Sequence, residues 1–173
     1  NSVVHFFAVL ALTLAMALVL DALRPIRPNP TARAWKEIDL DALRHNAEVL
    51  QARLSPGCAL TAVVKADGYG HGAAAVARCL RKNGVNSFAV ATLSEGVALR
   101  KAGIRGTILV LGCTPAEEAP LLRRWRLVQT VADEAHGKAL NAAGKPLRVH
   151  IAVDTGMRRL GVPAEDAPAL ARL

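Results

Sequence analysis

Residues 62–72 read AVVKADGYGHG: a lone lysine, Lys65, ends an apolar run, and Gly68, Gly70 and Gly72 follow, interleaved with Tyr69 and His71. The run 60–64 predicts a short buried strand, and α/β folds place reactive groups at the carboxyl ends of such strands. An amine partly withdrawn from water there has a lowered pKa and becomes a good Schiff-base nucleophile. The glycines offer backbone N–H groups room to approach an anion, and Tyr69 is the only tyrosine in the chain. Taken alone, the segment reads equally well as a strand that ends on a solvated lysine before a glycine-rich turn. Metal chemistry has no comparable signal. Cys58, Cys79 and Cys113 form no CxxC pair or Cys/His cluster, which points to reduced structural thiols in a cytosolic setting.

The elements that position these groups follow from periodicity. Residues 34–40 alternate and predict a strand. Asp41 then stands where it would cap a helix through residue 53, with Leu43, Ala47, Leu50 and Leu54 at helical spacing. After the Ser55-Pro56-Gly57 break comes the lysine strand, and then helices over 73–83, 93–102, 115–124 and 133–143. These alternate with strands over 87–91, 107–111, 127–130 and 147–153, and the loop 154–161 follows. Apolar strands alternating with helices imply right-handed βαβ units and a parallel sheet. Five such strands suit either an open doubly wound sheet or a barrel that stops after its fifth or sixth strand; the pattern alone leaves both open.

Aromatic residues are only 3% of the chain, so its 52% hydrophobic content is mostly aliphatic, as suits Val- and Leu-rich strands under alanine-rich helices. The net charge of +8 raises nucleic acid as a partner. The arginines, however, are scattered over predicted helix faces without a basic run, and aromatics for base stacking are nearly absent, so no nucleic-acid partner is expected. Residues 3–20 read VVHFFAVLALTLAMALVL, with His5 and Thr13 the only polar members. About 18 to 20 apolar residues cross a bilayer as a helix. Arg24, Arg27, Arg33 and Lys36 follow, broken by Pro25, Pro28 and Pro30, and this excess places the next domain on the cytoplasmic side. A signal peptide is the competing reading, disfavoured by the length of the apolar run and the arginines after it. The expected organisation is a transmembrane helix over 1–23, a proline-rich linker over 24–34 and a soluble domain over 35–173. A start at Asn1 and an end inside the helix-like run 164–173 suggest a fragment.

Three stretches together resemble the alanine racemase family. WKEIDLDALRHN at 35–46 is similar to its opening block, AVVKADGYGHG at 62–72 to its pyridoxal 5'-phosphate (PLP) attachment signature, and DTGMRRLG at 154–161 to its D-T-G-M-x-R-x-G loop. The resemblance covers 35–173 and implies a truncated TIM (β/α)8 barrel of the alanine racemase type, here preceded by one transmembrane helix. It implies that Lys65 holds PLP covalently and carries the substrate α-proton, that Tyr69 binds the cofactor phosphate, and that Arg159 lies near the cofactor ring oxygen and the substrate carboxylate. It also implies a homodimer whose second acid/base group is a tyrosine from the partner's second domain. His71 and Asp154 read as structural residues. One departure stands out: many members carry a lysine two residues before the loop aspartate, where this chain has Ala152. The membrane segment ahead of the domain resembles the membrane-bound serine/alanine racemases associated with vancomycin resistance, which implies D-alanine or D-serine for cell-wall peptidoglycan precursors. By itself the fragment is expected to be inactive. The alternatives are a PLP-dependent decarboxylase on the same barrel, which the DTGMRRLG block disfavours, and a non-catalytic, membrane-tethered PLP-binding sensor.

Overall fold

The structure, a computed structural model, describes residues 31 and 33–172. The chain divides between Glu37 and Ile38, and every element below belongs to the second unit. The apolar segment 3–20 and most of the linker lie outside the described residues.

The expected strand over 34–40 is absent; residues 34–39 join no strand. The reason is local. Asp39, not Asp41, caps the first helix, its carboxylate accepting from the N–H groups of Asp41 and Ala42, both at 2.9 Å. Helix α1, Leu40–Gln51, therefore begins where the strand was to end. It buries Ala47 and lies against α2, Ala73–Lys82.

The other elements alternate as expected: β1 Thr61–Val63, α2, β2 Ser87–Val90, α3 Leu93–Lys101, β3 Thr107–Val110, α4 Ala119–Arg124 after a 3-10 turn at Ala116–Glu118, β4 Val128–Val131, α5 Glu134–Ala142 and β5 Val149–Ile151. The last expected strand splits after β5. Val153–Asp154 (β6) leaves the main sheet and pairs in parallel with Val162–Pro163 (β7), and the short α6, Ala167–Leu170, follows.

The main sheet runs β1-β2-β3-β4-β5, every pair parallel. A doubly wound sheet reverses its direction of growth at a switch point. This one never does, and right-handed crossovers then place all helices on one face. That is the wall of a (β/α) barrel. Side-chain alternation agrees. Phe88, Val90, Ile108 and Val110 join Leu99, Leu122 and Leu127 in the core between sheet and helices. Val63, Ala89, Leu109 and Val128, in register across four strands, form a row on the opposite face.

Helices α2, α3 and α4 end in the same hydrogen-bonded closure. Val85, Ile104 and Leu127 donate their N–H to the carbonyls of Leu80, Leu99 and Leu122, at 3.1, 3.0 and 2.9 Å. The residue before each is left-handed: Gly84 at φ +84 and Gly103 at φ +82, but Arg126 at φ +51. Arg100, half-buried on α3, ties two of these ends together. Its Nε donates to Trp125 O (2.9 Å), Nη1 to Ile104 O (3.0 Å) and Nη2 to Arg126 O (2.8 Å).

Candidate active site

Lys65 stands beyond β1 with one residue between them, at the carboxyl end of the sheet, and is half-buried. The segment Lys65–Tyr69 makes one helical turn of the wrong hand: Ala66 (φ 50, ψ 50), Asp67 (φ 53, ψ 46) and Gly68 (φ 63, ψ 40) are left-handed, and Tyr69 follows at φ 55. Left-handed residues other than glycine cost about 1–2 kcal/mol each, so outside contacts must hold Ala66, Asp67 and Tyr69 there. Three do. The Glu95 carboxylate accepts from Ala66 N–H at 2.7 Å, Asp67 Oδ1 accepts from Ala73 N–H at 2.8 Å, and His71 Nδ1 donates to Gly68 O at 2.8 Å. His71 is thus the structural turn histidine that its position suggested.

The glycines have a different job from the one expected of them. Gly68, Gly70 and Gly72 spend their N–H groups on the carbonyls of Val64, Ala66 and Asp67, at 2.9, 2.9 and 2.8 Å, and so do not present them to an anion. The turn brings Lys65 Nζ to 6.0 Å from the centroid of the Tyr69 ring, and Tyr69 stays 60% exposed. Amine and phenol therefore stand together at the mouth of the sheet.

Glu95 and Asp67 carry this geometry without having been singled out from sequence. Glu95 also accepts from Ala91 and Thr92 N–H, at 2.7 and 3.2 Å, as the acidic half of a capping box with Thr92. The Thr-x-x-Glu spacing was a legible signal for the box. Its reach across to Ala66 was not.

The loop carrying Arg159 rises from the other edge strand. Asp154 Oδ1 accepts from the N–H groups of Gly156 and Arg158, at 2.8 and 3.0 Å, and these bonds hold its carboxyl below the usual aspartate range. Asp154 is the loop cap anticipated for it. Val162 N–H donates to Ala152 O at 3.1 Å, closing the loop at its base. There Gly161 (φ +103) leaves no room for a side chain, since a Cβ would lie 2.8 Å from Ala152 C and O. Ala152 thus anchors the loop through its backbone carbonyl. The Arg159 side chain is exposed, and no hydrogen bond or ion pair among the described residues joins it to Lys65 or Tyr69. On the inward face Thr130, 8% exposed, keeps a buried hydroxyl without a partner.

A singly wound parallel wall with an amine, a phenol and a guanidinium at its carboxyl end belongs to the class of (β/α)-barrel proteins that work at the mouth of the barrel. The comparisons narrow the class. Residues 38–173 match the model for the alanine racemase N-terminal domain, and the chain belongs to that family. It is 43% identical over 173 residues to an amino-acid racemase of Enterococcus faecalis, covering 96% of this chain and 24% of that protein. A serine/alanine racemase of Enterococcus gallinarum is 40% identical over 167 residues, covering 94% of this chain and 24% of its own. The chain therefore spans about a quarter of the length of these relatives. Among solved structures, alanine racemase from E. faecalis superposes with a TM-score of 0.72 at 41% identity, over 78% of this chain and 38% of that one. Alanine racemase from Clostridium difficile 630 gives 0.74 at 35% identity, over 83% and 42%.

Members of the family use PLP, and the groups on this chain fit one side of such a cofactor. Lys65 would supply the amine and the exposed Tyr69 a hydroxyl for the phosphate, and the unpartnered Thr130 hydroxyl marks a polar spot on the inward face.

Proposed function

We propose that this chain is the cofactor-binding part of a longer PLP-dependent amino-acid racemase that interconverts the enantiomers of alanine and, by the likeness to the serine/alanine racemase, of serine. The observation that carries the reading is the left-handed turn: it sets Lys65 at the end of β1 with Tyr69 beside it, in a chain of the alanine racemase family. When bound, PLP withdraws electrons from the substrate Cα and makes its proton acidic. Lys65 binds the cofactor covalently and moves that proton on one face. The Tyr69 hydroxyl donates to the phosphate. Arg159 presents a planar, permanently charged fork to the substrate carboxylate and the ring oxygen. The proton carrier for the opposite face belongs to the second domain of a partner subunit, so the working unit is a homodimer and residues 1–173 alone are inactive.

The Enterococcus relatives cover 94–96% of this chain, whereas the family model begins at residue 38; their likeness therefore extends into the residues that hold the apolar run. The reading includes an anchor in the apolar run 3–20, with the arginines after it keeping the catalytic domain on the cytoplasmic side, where it would supply D-amino acids to cell-wall precursors.

The test is made on the longer protein. Absorbance of the lysine-bound cofactor, lost in Lys65→Ala, and deuterium uptake from solvent at Cα of L-alanine or L-serine with appearance of the D-enantiomer are the expected results. Cofactor binding without α-proton exchange would leave a PLP-binding module and sink the racemase reading.

A further inference from the structure

At the opposite end of the sheet from Lys65, the amino ends of β3, β4 and β5 and the carboxyl ends of α3 and α4 enclose a groove of about 650 Å³. Five of its nine lining residues are arginines, Arg100, Arg105, Arg124, Arg126 and Arg148, and none is acidic. The fold gathers here five arginines that lie scattered along the sequence. No carboxylate among the described residues forms an ion pair with any of them: the ion pairs join Arg44 to Asp41 and Glu48, and Lys138 to Glu134.

Helix polarity explains part of this, because cations favour helix carboxyl ends and Arg100 and Arg124 sit there. It does not explain Arg126. In each helix ending the position after the cap must be left-handed, a conformation glycine adopts freely and other residues adopt at a cost of about 1 kcal/mol or more. Glycine fills it after α2 and α3, as Gly84 and Gly103. After α4 the chain spends an arginine instead, and Arg100 Nη2 braces that residue's carbonyl at 2.8 Å. A left-handed residue other than glycine is a starting point for a functional hypothesis. Arg100 is held below its ordinary pKa by burial and by the nearby charges of Arg126 and Arg81, as expected where positive charge lacks a counter-charge.

We infer that this groove binds a phosphate-bearing anion through the guanidinium groups of Arg105, Arg124, Arg126 and Arg148, which line it with Arg100, whose three nitrogens each already donate to a backbone carbonyl. A guanidinium fork matches phosphate oxygens two at a time, and four such forks suit a diphosphate or a phospholipid headgroup. The inference stands apart from the racemase reading, because the groove shares no residue with the Lys65 site.

Trp125 lines the groove, and Trp35, 66% exposed, is the only other tryptophan; Trp35→Phe therefore makes Trp125 a built-in reporter. In that background the full chain is titrated with pyrophosphate, with phosphatidylglycerol vesicles and with phosphatidylcholine vesicles. Saturable change with pyrophosphate assigns a soluble phosphate ester. Change with the anionic vesicles alone assigns a lipid headgroup. The deciding variant is Arg126→Gly, expected to melt at the same or a higher temperature because it relieves the backbone, yet to bind the responding probe at least fivefold more weakly. Arg105→Ser with Arg148→Ser, away from the helix ending, gives a comparable loss, whereas Lys138→Ser does not. No response to either anionic probe, or undiminished binding by Arg126→Gly, would overturn the inference.

Discussion

Glu95 joins two loops with one carboxylate. Its oxygens accept from Ala66 on one side and from Ala91 and Thr92 on the other, so the turn that presents Lys65 leans on the start of α3. Removing it leaves the Ala66 and Ala91 N–H groups without their acceptor, a loss of about 2 kcal/mol or more for charge-assisted bonds. Thr92→Ala removes the other half of the capping box, the acceptor for Glu95 N–H at 3.3 Å, with the hydroxyl's contact to Ser94 Oγ at 3.0 Å, at about 1 kcal/mol. In amide hydrogen exchange, Glu95→Ala is expected to unprotect residues 66–72, while Thr92→Ala leaves them protected and loosens only α3. Equal exchange at 66–72 in both variants would show that the turn holds itself. Gly161 is the second residue with no substitute. In Gly161→Ala a Cβ would lie within 2.9 Å of Asp154 N and the Ala152 carbonyl, on a backbone at φ +103. A loss of about 2 kcal/mol or more is expected in chemical denaturation.

At the scale of elements, the Asp154 loop should respond to acid. The three N–H groups of Arg158, Gly156 and Met157 favour the ionised carboxylate, so its folded pKa lies below the unfolded value of about 3.9. Its contribution to stability is therefore complete above that value and is lost as pH falls through the lower folded pKa. In pH-dependent NMR, the Gly156 and Arg158 amide shifts should change with a midpoint below that of an unfolded aspartate. Asp154→Asn, whose amide oxygen still accepts but does not titrate, should abolish the change. A midpoint at or above that of an unfolded aspartate would contradict the geometry. The same scale holds the difference at residues 34–39: Asp39 caps α1 with its own backbone extended, and the residues before it pair with no strand.

Over the whole molecule, one direction of growth sorts the chemistry to two ends. Every helix that follows a strand runs back from the carboxyl ends of the strands. Caps and acids such as Glu95 and Asp133 thus collect at the end of the sheet that carries Lys65, and Arg100, Lys101, Arg123 and Arg124 collect at the other end. The core between sheet and helices keeps the two apart. Phe88, fully buried at its centre, is the residue whose truncation tests this. Phe88→Ala should cost about 3–5 kcal/mol in denaturant unfolding, and a loss below about 1 kcal/mol would mean that the sheet and helices do not share one core.

Local chemistry was sufficient for much of this. Strand and helix order, the glycine stops at Gly84 and Gly103, the cap at Asp133 and the lysine at the end of β1 all follow from side-chain periodicity and capping, which act over a few residues. The three motif stretches carried the family likeness for the same reason, since each is a contiguous run. Long-range pairing decided the rest. Whether five parallel strands grow one way or two is set by which strand edges bond, and no short window of sequence encodes that. The Lys65 turn is braced by Glu95, which accepts from Ala66 N–H across 29 positions of sequence. The arginine groove exists because helices that share a direction bring residues from Arg100 to Arg148 to one end of the sheet. Charge spaced evenly along a chain becomes concentrated only when the chain folds.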